Sequence, residues 1–469
     1  MVETLALPIL VALLALLVFV VDLAAGPTRG RATGLVAFVG LVGIFAASWA
    51  LTPGGSASRG SFVLDDFALY LSRIMLVAAA LGVLGSLDHT ARNMTRRQGE
   101  YYLLLLSSLM GMLFLAGARE LVLLIVSFEL MGIPLYVLAA MHKTTRIGVE
   151  GSLKLYLTGA VSSAVTLYGL SFIVGATGST SLSDIALAPS SPYLVVGLLL
   201  ALAGMGFKVG AVPFHMWIPD TYQGAPTPFV AFLSVAPKAA GFAALTRLFI
   251  EGLGDQRTTW WPVLIVICGA TMLVGNFFAL NQSNVKRLLG YSGISHIGLL
   301  LLALGIGTQR GIGILLFYLA AYVFTNMGAF FVAEVVGREG SDEISAYKGL
   351  ARRNPLLGLA MLLFLLSLGG IPFVAGFWAK IFLFFAAWEA GIRGLVVLGA
   401  VLAVVALYYY LRVARSIYIE KPEKDGRVTV PFTTASAIGI AMAGVVLIGV
   451  KPALLLESAI HAAKSVIGG

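Results

Sequence analysis

The sequence predicts an all-α polytopic membrane protein of about fourteen transmembrane helices, and three observations support this prediction. Only 11% of the 469 residues are charged and 59% are hydrophobic, whereas about a quarter of residues are charged in soluble proteins. Apolar runs follow one another almost end to end, each near the roughly 20 residues that a helix needs to cross a bilayer. Two runs contain helix-breaking glycine and proline. Together these observations exclude a water-soluble globular protein.

No long linker, charge block or low-complexity segment divides the chain, so a single membrane domain over 1–469 is the economical interpretation. We expect three N-terminal helices in 1–100, a first repeat in 101–250, a second in 260–419, and a last helix and tail in 431–469. The predicted spans are 4–25, 31–51, 67–87, 101–118, 120–141, 153–176, 192–219, 227–250, 260–281, 285–306, 311–336, 354–390, 394–419 and 431–450.

The distribution of basic residues predicts the orientation. A net charge of +9 could suggest a nucleic-acid partner, but the lysines and arginines are spread over short loops. Connections after odd-numbered spans hold 18 of them, and connections after even-numbered spans together with the tail hold 7. Because cytoplasmic loops carry the excess of Lys and Arg, we expect the odd connections to face the cytoplasm and both termini to lie on the outer side.

The seventh and twelfth spans are predicted to be broken helices. The seventh carries Gly210 and Pro213, and the twelfth, about 37 residues long, carries Gly370 and Pro372 near its middle. Proline lacks the backbone donor and glycine relaxes the turn. Open backbone at membrane depth persists only where protein or a water-filled cavity satisfies it. A pair of simple packing kinks is the alternative.

Each predicted break has a lysine close by, which suggests an internal repeat. Lys208 precedes Pro213, and Lys380 follows Pro372 by eight residues. The breaks lie five spans apart, and an odd number of helices inverts the second copy. Spans 4–8 and 9–13 are therefore predicted to form an inverted repeat, as in many secondary transporters, whose sites lie at discontinuous helices near the midplane.

Four ionisable residues lie deep inside apolar spans: Glu129, Lys208, Lys238 and Lys380. A central charge costs about 2.5 to 3.5 kcal/mol on insertion scales, so four cost on the order of 10 kcal/mol. Burial makes lysine switchable between its charged and neutral forms, and a nearby carboxylate stabilises the ammonium. We therefore predict that this row moves protons. Structural ion pairs are the alternative.

Three further positions are weaker candidates. His296 is a natural relay because neutral imidazole both donates and accepts hydrogen bonds, although a structural bond to a backbone carbonyl would also explain it. Lys154, at the start of the sixth span, could stand between Glu129 and the cytoplasm or only anchor the helix. One of the tyrosines 408–410 could line an exit path, and Tyr408 is the one singled out; packing is the alternative for all three.

The chain is not expected to bind a metal or a redox cofactor. Cys268 is its one cysteine, so a set of cysteine ligands for an iron–sulfur cluster is excluded. We find no phosphate-cradling loop and no GxGxxG motif after a strand. Any redox cofactors are therefore expected outside this chain.

Three long segments carry a resemblance to a known family. They are GFKVGAVPFHMWIPDTYQGAPTPFVAFLSVAPKAAGFAAL at 206–245, NQSNVKRLLGYSGISHIG at 281–298, and YKGLARRNPLLGLAMLLFLLSLGGIPFVAGFWAKIFLF at 347–384. The sequence resembles the antiporter-like subunits of bacterial respiratory complex I and their relatives in multisubunit sodium/proton antiporters. Lysine at 380 and a tail of about 19 residues after the last span favour one branch of this family over its sister subunits.

The resemblance implies fourteen helices, the inverted repeat, and proton-transfer roles for Glu129, Lys208, Lys238, His296 and Lys380. It also implies a bacterial inner-membrane location with periplasmic termini, and a partner set of other membrane-arm subunits that includes another antiporter-like subunit. NADH, FMN, iron–sulfur clusters and quinone would be bound by partner subunits, making this chain a non-redox part of a translocating enzyme. The alternatives are a sodium/proton antiporter subunit without a redox partner, and a purely structural scaffold.

Overall fold

A computed structural model of the chain describes residues 3–25, 30–94, 97–142, 145–423 and 426–467. Among these residues, twelve helices are long and apolar enough to cross a membrane, and Arg31–Ala47 and Pro355–Gly369 are shorter apolar helices. The predicted helical membrane fold is confirmed. The number of fourteen crossings stays a prediction, as does the division into segments.

Three long helices and a small hairpin make up the N-terminal part. The helices are α1 (Ala6–Ala25), α2 (Gly30–Ala47) and α3 (Asp66–Asn93). An antiparallel hairpin of β1 (Gly55–Ala57) and β2 (Phe62–Leu64) connects α2 to α3. We refer to this side of the helical bundle as the hairpin end.

The remaining helices fall into two halves followed by a C-terminal pair. The first half comprises α4 (Gln98–Gly117), α5 (Leu121–Ala139), α6 (Arg146–Thr177), α7 (Leu182–Ala186), α8 (Pro192–Val209), α9 (Trp217–Gly224), α10 (Thr227–Leu233) and α11 (Ala236–Thr246), which continues as a π-helix (Arg247–Gly252). The second half comprises α12 (Arg257–Leu280), α13 (Val285–Ile306), α14 (Gln309–Gly337), α15 (Leu350–Arg353), α16 (Pro355–Gly369), α17 (Ala375–Glu389) and α18 (Arg393–Tyr418). The last two helices are α19 (Phe432–Val450) and α20 (Pro452–Ile467).

The seventh and twelfth spans are broken where the sequence predicts. Gly210 ends α8 with φ of 86°, and Gly370 ends α16 with φ of 84°. In both, the glycine N–H bonds to the carbonyls three and four residues earlier, and the next N–H bonds to the carbonyl five residues earlier. This is the Schellman cap, which needs a left-handed residue and so favours glycine.

A second pair of matching contacts lies where the fifth and tenth spans begin. Glu120 precedes α5 and bridges to Ser181, after the sixth span; Asn284 precedes α13 and bridges to Glu343, after the eleventh. The bonds are Leu121 N to Thr180 O (2.9 Å), Leu182 N to Arg119 O (3.0 Å), Val285 N to Asp342 O (2.8 Å) and Ile344 N to Ser283 O (2.8 Å). Equivalent spans thus make equivalent contacts, as a structural repeat requires.

The eighth span is not the continuous helix that the sequence analysis expects over 227–250. It is interrupted between α10 and α11, at Ser234 and Val235. Pro237 explains the break, because it has no N–H for the Leu233 carbonyl and its ring clashes with a helix continuing through that point. The Asn326 amide donates to the Ser234 hydroxyl at 2.7 Å, so α14 supports the interruption. Lys238 therefore lies in the first turn after a third helix break.

The C-terminal tail forms a helix, α20, which the sequence analysis did not expect. Its Ser465 hydroxyl accepts a bond from the Phe67 backbone N–H at 3.2 Å, and the Gln309 amide donates to the Ile460 carbonyl at 3.1 Å. It thus packs against the starts of α3 and α14, at the hairpin end. One face is buried through Ala459, and the other is exposed.

A buried ion cluster ties the N-terminal helices to the first half at the hairpin end. The Arg247 side chain is 0% exposed and pairs with Asp65 at 2.7 Å and with Glu251 at 2.9 Å. Arg119 lies 3.7 Å from Asp65 and 2.5 Å from Glu251. Asp65 also caps α3 by accepting from the Ala68 N–H at 2.8 Å. The cluster thereby fixes the start of α3 against the end of α11.

Candidate functional site

A carboxylate, a hydroxyl and an ammonium meet where α5, α6 and α8 pack together. The Ser163 hydroxyl donates a short hydrogen bond to Glu129 Oε1, and Lys208 Nζ donates to the Ser163 oxygen at 3.1 Å. Lys208 Nζ also donates to the Tyr136 hydroxyl at 3.2 Å and lies 3.8 Å from Glu129 Oε1. The two groups that the sequence analysis paired are brought together, and Ser163 bridges them.

Glu129 and Lys208 differ in their surroundings. The Lys208 side chain is 6% exposed, whereas that of Glu129 is 36% exposed. Val126 and Ile133, one turn before and after Glu129, are exposed apolar residues of the same helix face. The carboxylate therefore reaches the outer surface of the bundle within an apolar face, where an ionised group is costly without a polar partner.

Lys380 reaches back across the break in the twelfth span. It belongs to α17, but its Nζ donates to the carbonyls of Leu368 (2.7 Å) and Gly369 (3.0 Å), at the end of α16. Terminal helix carbonyls lack intrahelical donors and carry partial negative charge. Lys208 lies in the last turn of α8. The ammonium groups of both lysines thus lie at the C-terminal end of the first half of a broken helix. Lys208 belongs to that half-helix, whereas Lys380 reaches it from the second half.

Lys238 is the most isolated charge of the row. Its side chain is 2% exposed, and its Nζ has no hydrogen-bond partner within the described part of the chain. The Nζ lies 5.7 Å from the ring centroid of Tyr222 and 5.8 Å from that of Tyr322. Aromatic faces attract cations, but weakly compared with the desolvation of an ammonium. The hydroxyls of both tyrosines are buried and also have no hydrogen-bond partner among the described residues.

His296 is bonded to tyrosine hydroxyls rather than to a backbone carbonyl. Its Nδ1 lies 2.7 Å from the Tyr318 hydroxyl, and its Nε2 lies 3.4 Å from the Tyr410 hydroxyl. The imidazole packs against Tyr322 with ring centroids 5.3 Å apart. Tyr322 therefore contacts both the histidine and the surroundings of Lys238, placing His296 beside the middle of the row.

A small cavity joins His296 to Lys380. It has a volume of about 10 Å³, and both side chains line it, together with Asn276, Ser295 and Tyr409. Asn276 donates to the Ser295 hydroxyl at 2.6 Å and accepts from the Tyr409 hydroxyl at 3.2 Å. A polar space of about this size is close to the minimum for one water molecule. His296 and Lys380 therefore face each other across this cavity.

The other two of the three weaker candidates, Lys154 and Tyr408, lie at exposed positions. Lys154 is half-exposed and pairs with Glu150 and Asp220, each at 2.6 Å, so it contacts acidic groups and not Glu129. The Tyr408 side chain is 62% exposed on the outside of α18, so its role beside an exit path stays a prediction. Tyr409 and Tyr410 are buried and contact Asn276 and His296, respectively. A helix turns about 100° per residue, so consecutive tyrosines face different surroundings.

A second buried cluster, which the sequence did not predict, lies at the end opposite the hairpin. His89 Nδ1 lies 2.9 Å from Glu334 Oε1, and both side chains are 6% exposed. Arg338 pairs with Glu334 at 3.1 Å and with Asp88 at 2.7 Å. The His142 ring lies 5.6 Å from that of His89. Glu334 was visible as an acid inside an apolar span, but no spacing rule connects α3 to α14.

The comparisons with known proteins agree with this architecture. Residues 118–406 match the family model described as "NADH:quinone oxidoreductase/Mrp antiporter, TM". NADH-quinone oxidoreductase subunit N of Moorella thermoacetica is 42% identical over 442 residues, 92% of each chain. The subunit N of Heliobacterium modesticaldum is 43% identical over 407 residues, 86% of each chain.

Solved structures extend the likeness. A chain of respiratory complex I from Thermus thermophilus, solved with bound aureothin, has a TM-score of 0.83 and 34% identity, covering 96% of this chain and 98% of that one. A chain of the Mrp complex from Dietzia sp. DQ12-45-1b has a TM-score of 0.90 at 22% identity, covering 100% and 98%. The second match shows a shared fold alone.

Fold and site together define a class of protein: a polytopic transport protein with interrupted helices and a buried row of lysines that has hydroxyl groups and an imidazole beside it. Discontinuous helices with polar sites at their breaks are typical of secondary transporters. Given its matches, the chain belongs to the NADH:quinone oxidoreductase/Mrp antiporter family, among the relatives named NADH-quinone oxidoreductase subunit N.

Proposed function

We propose that this chain is a proton-translocating subunit of the membrane arm of an NADH:quinone oxidoreductase. The observation that carries the proposal is the polar row that runs through an apolar interior, from Glu129 and Lys208 past Lys238 to His296 and Lys380. Hydroxyl groups, an imidazole and a small polar cavity separate its charges. Such groups can accept a proton on one side and release it on the other.

The chain would contribute proton transfer and no redox chemistry. NADH, FMN, iron–sulfur clusters and quinone would be bound by partner subunits, and electron transfer there would drive outward pumping here. The half-exposed Glu129 supports a membrane-arm partner, because a neighbouring subunit, such as another antiporter-like one, would supply polar cover for that carboxylate. The loop charges support an inner-membrane orientation with both termini in the periplasm.

The test is Lys208→Ala in the assembled complex, reconstituted in liposomes. We expect NADH-driven proton pumping to fall about tenfold or more, since a positioned proton carrier contributes typically about 10²-fold in rate. Quinone reduction should fall with it if the two are coupled. Lys208→Arg should keep the contact with Glu129 and still fail to pump, because guanidinium does not release its proton.

Lys464→Ala is the matched control, because that lysine is exposed on α20, and its pumping should be normal. Normal pumping by Lys208→Ala, with normal assembly, would rule out the proposed role. The second candidate function, a sodium/proton antiporter subunit, has its support in the family description, which also names an Mrp antiporter. It predicts a purified complex that lacks flavin and iron–sulfur clusters and exchanges sodium for protons without NADH.

Gly293→Ala tests the region between Lys238 and His296. A Cβ at this position of α13 would lie 3.2 Å from Lys238 Nζ and 3.0 Å from the Tyr322 hydroxyl, so both must shift. We expect slower pumping with little loss of thermal stability, because alanine favours helices over glycine by about 1 kcal/mol. Gly439→Ala on α19, where the new Cβ meets nothing within 4 Å, should leave pumping unchanged. Equal pumping by the two variants would contradict this.

A further inference from the structure

A second cavity lies at the hairpin end, on the outer surface of the bundle. It has a volume of about 230 Å³ and lies between α2, α3, α14 and α20. Its walls are mostly apolar, with Val77, Phe324 and Leu455 among the lining residues. None of the candidate proton-transfer residues lines it. The cavity is therefore separate from the site described above.

Among the residues that the structure describes, Arg73 is the only charged one that lines this cavity. Its Nη2 donates to the Ser48 carbonyl at 2.9 Å and its Nε to the Ser48 hydroxyl at 3.3 Å. The guanidinium lies 3.9 Å from the ring centroid of Trp49. No carboxylate among the described residues lies within 4 Å of it, and Nη1 makes no hydrogen bond within that part of the chain. The guanidinium thus keeps donors available for an anion.

The polar and the apolar residues that line the cavity lie at different depths along the helices. Arg73 lies seven residues into α3, about 10 Å from its start at the hairpin end. Trp49, just past the end of α2, and Ser458 of α20 lie at the same end, and tryptophan is enriched at membrane interfaces. Val77 lies one turn deeper on α3, and Phe324 one turn deeper than Ala320 on α14. The cavity is therefore polar at the interface and apolar toward the membrane interior.

We propose that this cavity binds an anionic phospholipid, with its phosphate at Arg73 and part of one acyl chain between α3 and α14. A phosphate oxygen would accept from the Nη1 donors of Arg73, and the buried Tyr70 hydroxyl, which makes no hydrogen bond of good geometry within the described residues, lies on the same wall. The volume of about 230 Å³ is below the roughly 300 to 1,000 Å³ of pockets that enclose a whole small-molecule ligand, so it suits a segment of one acyl chain and not a whole lipid. Charge and shape thus match one amphipathic molecule.

The lipid would join helices from three parts of the chain. It would touch α2 and α3 from the N-terminal part, α14 from the second half, and the C-terminal α20. Lipid tails are as apolar as these side chains, so the acyl segment would contribute through van der Waals packing against the helices and not through the hydrophobic effect. A bound acyl segment would therefore hold α20 against the bundle.

The experiment uses the assembled complex and a phosphatidylglycerol that carries a photoreactive diazirine in its acyl chain. After illumination, the labelled peptides of this chain are mapped by mass spectrometry. We expect label in residues 74–77 and 320–324. Arg73→Gln should reduce it about tenfold, the effect of losing one charge-assisted bond. Phosphatidylcholine with the same acyl chain should label less.

Arg393→Gln is the matched control, because Arg393 also lies over a tryptophan, at 5.4 Å from Trp388, but does not line the cavity; its label should be unchanged. Val77→Phe, which fills the deep end and leaves Arg73 intact, should also reduce the label. The proposal is overturned if Arg73→Gln labels as the unaltered complex does, or if inorganic phosphate abolishes labelling while Val77→Phe has no effect. Label found instead on a neighbouring subunit would show that a protein covers the cavity, which would equally overturn it.

Discussion

Lys238→Met is expected to abolish pumping while leaving the complex at least as stable as before. The lysine has no carboxylate within 4 Å and no hydrogen-bond partner among the described residues, so its burial costs free energy that two aromatic rings only partly offset. Methionine fills a similar volume without charge. We expect a gain of about 1 to 3 kcal/mol, the usual cost of an unsatisfied buried polar group, measured as a higher midpoint of thermal unfolding.

This result would separate the proton-transfer hypothesis from the scaffold hypothesis. If the lysine has a structural role, removing it should destabilise the complex. If it is present for transport, removing it should stabilise the complex, because its burial costs free energy. Leu245→Met, a buried substitution on the same helix, is the control for volume and should pump normally. A Lys238→Met complex that melts earlier and still pumps would favour the scaffold.

Arg247→Met is expected to cause the largest loss of stability. Its guanidinium is completely buried and holds Asp65 and Glu251. Removing it leaves two carboxylates with only Arg119, which lies 3.7 Å from Asp65. Breaking a buried ion pair by removing one partner costs about 3 to 5 kcal/mol. We expect little assembled complex and a strongly lowered melting temperature.

Arg310→Met provides the comparison. Arg310 pairs with Glu389, but the two side chains are 54% and 60% exposed, and exposed pairs contribute about 0 to 1 kcal/mol. Adding Asp65→Asn to Arg247→Met should restore part of the loss, because it removes one uncompensated charge. The interpretation fails if Arg247→Met melts together with Arg310→Met, or if the double variant is no better than the single one.

The sequence predicted those parts of the fold that depend on local chemistry. Gly210 and Gly370 mark the two broken helices because each ends a half-helix in a left-handed conformation. The lysines stood out because charge is rare inside apolar runs. The break before Lys238 carried the same kind of signal in Pro237, but two prolines in one span, at 228 and 237, can also begin a helix. From the sequence alone, a break at Pro237 could therefore not be distinguished from the ordinary start of a helix.

Contacts between distant segments could not be predicted from the sequence. Ser163 lies 34 positions from Glu129 and 45 from Lys208, yet it contacts both. His89 and Glu334 are 245 positions apart. The same limit applies to the tyrosines 408–410, since the orientation of α18 against its neighbours decides which tyrosine faces inward. Hydroxyl side chains are common in helices, so the neighbouring sequence does not show which few of them contact the polar row.

The reach of Lys380 across its helix break has a mechanical consequence. The lysine is anchored in α17, but its ammonium is held by the last carbonyls of α16. A change in the angle between these half-helices would lengthen those two bonds before it disturbed the core of either helix. Movement at the break between α16 and α17 would thus change the electrostatic environment of the Lys380 ammonium. The break can in this way act as a transducer, in which movement of the backbone sets how readily a single proton is held or released.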